Sequence, residues 1–175
     1  MSELPKHLPD EPSFHAGCCH SLSKQLITSL DHVFSHTPGS VLSIGSGAGL
    51  LEALLLANID ALNIQAVEIQ DSKSLGINRY MPEDLMHYVG GTYDLFPGAG
   101  TAATWLLVYP RDPRLVAKYL EHFQGGSLRQ IVCICPRSEW QRFEDIVRDS
   151  SFKEITEVED SGLQAYEGTF VARLP

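Results

Sequence analysis

Apolar and polar positions along the chain fall into blocks whose period changes between that of a helix and that of a strand. Leu22, Leu26, Leu30 and Val33 recur at helical spacing, so residues 21–35 predict an amphipathic helix. Thr37-Pro38-Gly39 stops it, and residues 40–44 form a short apolar strand. Residues 50–57 are apolar nearly all round, which predicts a buried helix. The pattern then repeats: a strand over 61–68, a helix from a cap at Asp71 to about Tyr80, a third strand over 85–89, a loop at "FPGAG" and a strand over 102–109. After "PRDP", Leu115, Val116, Tyr119, Leu120 and Phe123 define another helical face, with Asp112 as N-cap and Pro113 in the first helical position. A strand over 129–135 leads to a helix over 138–148, opened by a capping box of Ser138 and Gln141 and striped by Trp140, Phe143 and Val147. Two last runs, "FKEITEVE" and "LQAYEGTFVARL", flank Asp160-Ser161-Gly162 with no helix between them and predict an antiparallel hairpin. The glutamates at 154, 157 and 159 read as the solvated face of its first strand.

Five strand–helix units and a hairpin imply an α/β fold: a doubly wound, mostly parallel sheet covered on both faces by right-handed crossovers. A ligand then belongs at the carboxyl ends of the strands, near the topological switch. Residues 21–175 make a single domain, and residues 1–20 an N-terminal arm. Pro5, Pro9 and Pro12 leave the first 17 residues without regular structure.

Composition narrows the partners. A net charge of −9 with only 13 Lys and Arg, scattered along the chain, argues against nucleic acid, whose binding rests on neutralising phosphates. No apolar run reaches the roughly 20 residues of a membrane span. Cys133 and Cys135 alternate along an apolar strand, where cysteine acts as a small hydrophobe, and the four cysteines form no disulfide framework. The expected setting is a reducing cytoplasm, and the expected partner a small molecule. In "HAGCCH", adjacent Cys18 and Cys19 make poor joint ligands for one zinc ion, and no second Cys/His pair follows at finger spacing, so no metal is expected.

The stretch "SVLSIGSGAGLLEALLL" carries the chemistry. Gly45, Gly47 and Gly49 lie between strand and helix, where glycine permits positive φ and lets backbone approach a ligand, with the helix N–H groups beyond. A dinucleotide fold wants G-x-G-x-x-G, but position 50 is leucine. The spacing G-x-G-x-G, Glu68 at the end of the second strand and the closing hairpin together resemble the class I S-adenosylmethionine-dependent methyltransferases, over 40–174. That resemblance implies a seven-stranded sheet with an antiparallel last strand. It implies S-adenosylmethionine as cofactor, held by Gly45, Ser46, Gly47 and Gly49, with Glu68 on the ribose hydroxyls and Thr92, or the displaced Asp94, near the adenine. Two features depart from the family: Ser43 stands where an acidic residue usually precedes the first glycine, and "YPRDP" replaces the N-P-P-Y of amide methyltransferases.

For catalysis, Tyr109 closes the fourth strand beside the expected methyl group, and His20 of the arm, with His15, is placed to face the substrate. Histidine suits the role of base near neutral pH. The leading reading is a methyltransferase acting on a small molecule. The alternatives are a catalytically inactive methyltransferase-like binding or scaffold subunit working with a partner, and a methyltransferase-fold cyclase or isomerase. A homo-oligomer and a hetero-partner subunit are both compatible with the sequence.

Overall fold

The computed structural model describes residues 1–175. In chain order it contains β1 (Ser13–Phe14), β2 (Ser21–Leu22), α1 (Lys24–Ser35), β3 (Val41–Ile44), α2 (Leu50–Asn58), β4 (Ile64–Ile69), α3 (Gln70–Ser74), β5 (Met86–Val89), β6 (Thr104–Val108), α4 (Pro113–His122), β7 (Gln130–Pro136), α5 (Arg137–Asp149), β8 (Glu154–Glu157) and β9 (Glu167–Arg173). Seven strands form one sheet in the order β5-β4-β3-β6-β7-β9-β8. Neighbours from β5 to β7 are parallel, and β9 alone runs against both of its partners, β7 and β8. The α/β class, the doubly wound sheet and the closing hairpin all match the sequence pattern.

Strand alternation sorts the core into two layers. Leu106, Val132, Ile134 and Val171 face α1 and α2, packing on Leu26, Leu30, Leu54 and Leu55. On the other face, Trp105, Leu107, Ile131 and Cys133 meet Val116 and Tyr119 of α4 and Phe143 and Val147 of α5. The chain reverses direction across the sheet between β3 and β6, so the cleft outside their carboxyl ends is the topological switch.

Several local expectations give way. The first helix begins at Lys24, because Ser23 caps it by accepting the Leu26 N–H, and residues 21–22 form a strand instead. That strand pairs with Ser13–Phe14, so the arm is not wholly irregular and is stitched to the domain across residue 20. Asp71 lies inside α3 and caps nothing. With no apolar face to bury, that helix stops at Ser74, ahead of Gly76 at φ +62°. The connection between β5 and β6 is a loop, as "FPGAG" predicts; it makes a 3-10 turn at Pro97–Gly100, pinned where Trp105 Nε1 donates to the Ala99 carbonyl. The Ser138–Gln141 capping box does not form, since β7 runs straight into α5 through Pro136 and Gln141 donates to Asp145 instead. Asp112 does cap α4, accepting the Arg114 N–H at 2.9 Å, with Pro113 in the first turn.

Candidate functional site

The turn after β3 is built by its glycines. Gly49 sits at φ +75°, and a Cβ there would lie 2.8 Å from Met81 Cγ, so a side chain is excluded by both backbone and packing. At Gly47, φ is +58° and nothing lies within 4 Å of where a Cβ would stand; the same is true of Gly45. Their missing side chains leave open space. Across the turn, Glu68 at the end of β4 accepts the Gly47 N–H at 2.7 Å, and also the Ile69 N–H and the Ser72 hydroxyl.

These groups line a single cleft of about 1240 Å³. It is larger than the roughly 300–1,000 Å³ of common small-ligand sites, which leaves room for a cofactor and an acceptor together. Gly45, Ser46, Gly47, Gly49, Glu68, Thr92, Tyr109 and His20 all lie on its wall, although they are spread over ninety residues of sequence. Asp94 lines it as well, while His15 remains outside it, edge-on to Tyr80.

His20 is 1% exposed. Its Nδ1 lies 2.7 Å from the Ser21 carbonyl, which can only accept, so Nδ1 carries the proton and Nε2 keeps the lone pair. Burial lowers the imidazole below its ordinary pKa, more than the neighbouring Glu167 raises it, so the ring is a neutral base. Tyr109 has φ +49°, a strained value for a non-glycine residue. Its hydroxyl donates to Glu167 Oε1 at 2.6 Å. Burial and that bond together hold the phenol well above its ordinary pKa, so Tyr109 is a committed donor rather than a base. Burial likewise pushes the Cys18 thiol up to about 12 and raises Cys19, so neither cysteine of the arm is a ready thiolate. Asp112, though on the cleft wall, is held well below the usual carboxylate range by bonds from Arg114 and Tyr93; its place is in the helix cap.

Two residues of consequence escaped the sequence reading. Glu167, 1% exposed at the start of β9, accepts from the Ser21 N–H and hydroxyl, the Gln164 N–H and Tyr109, tying the arm to the strained end of β6. Glu52, 2% exposed on α2, accepts from the Ser43 hydroxyl at 2.5 Å and lines the cleft. A signal for Glu52 existed: it is the one charged residue in a helix whose leucine content predicts burial on all sides.

The strand order, the single reversed strand and the glycine turn at the switch define the fold of the class I S-adenosylmethionine-dependent methyltransferases. Human N-acetylserotonin methyltransferase, solved in complex with S-adenosylmethionine, superposes with a TM-score of 0.59 at 14% identity, over 85% of this chain and 51% of its own. The methyltransferase domain of bacterial CtHen1-CN gives 0.61 at 13%, over 86% and 98%. The glycopeptide N-methyltransferase MtfA, complexed with S-adenosylhomocysteine, gives 0.58 at 16%, over 85% and 90%. The chain thus spans about half the human enzyme and nearly all of the bacterial domain. At such identities the likeness is one of fold. No protein-family model and no curated protein matches the sequence. No helix is long and apolar enough to cross a membrane.

Proposed function

We propose that this protein is a methyltransferase that binds S-adenosylmethionine in the cleft and methylates a small molecule. The observation that carries the reading is the convergence of the glycine turn, Glu68, Tyr109 and His20 on one cleft at the switch point, with open space over Gly45 and Gly47. Those side-chain-free positions fit a nucleoside approaching the main chain, and Glu68 Oε1 and Oε2 offer a bidentate acceptor for vicinal hydroxyls. When bound, S-adenosylmethionine supplies a methyl group made electrophilic by its sulfonium. The protein's own work is mostly alignment of the acceptor, which can contribute on the order of 7–11 kcal/mol. His20 takes the acceptor's proton at Nε2, its Nδ1 proton held by the Ser21 carbonyl. Tyr109, fixed by Glu167, shapes the wall beside it.

Titration calorimetry with S-adenosylhomocysteine tests the reading. Binding should weaken roughly 10–100-fold in Glu68→Ala, the worth of one or two charge-assisted hydrogen bonds. Absence of heat from the unmutated protein at about 1 mM ligand, where even weak sites fill, overturns it. Glu68 already accepts three internal hydrogen bonds, which favours a second reading as a binding or scaffold subunit. On that reading Glu68→Ala leaves ligand affinity unchanged and lowers only the stability of the glycine turn.

A further inference from the structure

Glu52 presents an unresolved electrostatic problem. The carboxyl lies inside the fold on the first turn of α2, yet no lysine or arginine pairs with it. Its only side-chain partner is the neutral hydroxyl of Ser43. The other titratable groups that face it are Glu68 from β4 and Cys18 and Cys19 from the arm, and none of them brings positive charge. Burial pushes the group up to about 7, with Glu68 adding to the rise and Ser43 opposing it. A buried carboxyl is seldom kept without a cation, and this one borders the cleft directly beneath the glycine turn. A packing role alone would be served by leucine, the residue that fills positions 50, 51, 54 and 55 of the same helix.

We infer that Glu52 is the receptor for an ammonium group of the ligand, its carboxylate oriented by Ser43. This rests on the proposed binding of S-adenosylmethionine, whose amino-acid end carries such a group. The cation enters the cleft, Glu52 gives up its proton to solvent, and the carboxylate and ammonium form an ion pair away from water. Strand β3 then needs no acid of its own at Ser43, because the adjacent helix supplies one.

Two ligands separate the possibilities: S-adenosylhomocysteine, which carries the ammonium group, and 5′-methylthioadenosine, which keeps the nucleoside and sulfur but lacks the amino-acid end. In Glu52→Gln, affinity for the first should fall roughly 10–100-fold and affinity for the second should be unchanged. The double variant Ser43→Asp/Glu52→Gln, with the carboxylate moved to the strand, should recover much of the loss. Calorimetry of the unmutated protein at pH 6, repeated in buffers of different ionisation enthalpy, should show about one proton released with S-adenosylhomocysteine and none with 5′-methylthioadenosine. This last measurement stands even where a variant fails to fold. Equal proton release with the two ligands, an equal loss of both in Glu52→Gln, or no loss of either overturns the assignment of Glu52 while leaving the cofactor site intact. Failure of both ligands to bind the unmutated protein removes the cofactor reading and this one with it.

Discussion

Replacing Glu167 with alanine tests how the N-terminal arm is held over the cleft. The carboxylate accepts from four donors: the Ser21 N–H at 3.2 Å, the Ser21 hydroxyl at 2.5 Å, the Tyr109 hydroxyl at 2.6 Å and the Gln164 N–H at 3.2 Å. The two hydroxyls can rotate toward other acceptors. The two N–H groups cannot, and each buried donor left unsatisfied costs about 1–3 kcal/mol. Tyr109 also loses the bond that holds it at φ +49°, a conformation carrying of order 1–3 kcal/mol of strain. Water can reach half-buried Tyr109 through the cleft, which discounts its share, so Glu167→Ala should lower stability by about 3–5 kcal/mol. In a domain of this size that is a fall in Tm of roughly 6–20 °C. Glu167→Gln keeps the shape but turns one acceptor into a donor facing donors, and should cost about 1–2 kcal/mol. Urea titration followed by circular dichroism gives both values. Limited proteolysis should nick residues 1–22 of the alanine variant while the sheet resists, because β2 has lost its tie to β9. A loss below about 1 kcal/mol in Glu167→Ala would refute the claim that this carboxylate organises the arm.

Three further outcomes follow from other contacts. Glu52 titrates near 4.5 in the unfolded chain and about 7 in the fold, so its contribution is full below the lower value and is lost as pH rises through the upper one. Relative to Glu52→Gln, the unliganded wild-type protein should therefore lose roughly 3 kcal/mol between pH 5 and pH 8 in urea titrations, and a pH-independent difference would contradict this. Ser23→Ala removes the cap of α1 and leaves the partly buried Gly162 carbonyl without its 2.6 Å donor, which should cost about 1–3 kcal/mol by thermal unfolding. Gly47→Ala and Gly49→Ala should part company: with open space at Gly47 the first costs only the backbone penalty of about 1–2 kcal/mol but blocks S-adenosylhomocysteine in calorimetry, whereas the second, against Met81, should unfold at clearly lower urea.

What the sequence disclosed, and what it withheld, divides along the range of the interactions. The period of the apolar positions placed every strand of the seven-stranded sheet, because a strand's burial follows from its own alternation; β6 and β7 needed no neighbour to be read, whereas the β1–β2 pair, two residues a strand, has no such period. The glycine turn and Glu68 were legible for the same reason, as the backbone demands at a strand end are local. Caps failed where tertiary contacts decided the ends. Ser138 was displaced because the Arg137 N–H goes to the Tyr166 carbonyl, and Asp71 because α3 has no face to bury. The loop after β5 was legible from its glycines and proline, but its anchors were not: it is held on Trp105 and Tyr119, side chains that read only as core. The site itself was half visible. His20 drew notice for its residue type, but its neutral tautomer depends on a carbonyl whose direction the β1–β2 pairing sets. Glu167 sits 146 residues from Ser21, and no spacing rule joins them. Ser43 and Glu52 lie only nine positions apart, yet each was read alone, one as a departure and the other as part of an apolar helix. Folding the strand against the helix turns those two anomalies into one acidic group at the cleft. Whether Ser43→Asp rescues Glu52→Gln is therefore the measurement that decides if a carboxylate at this spot matters by its position in space rather than by its place in the chain.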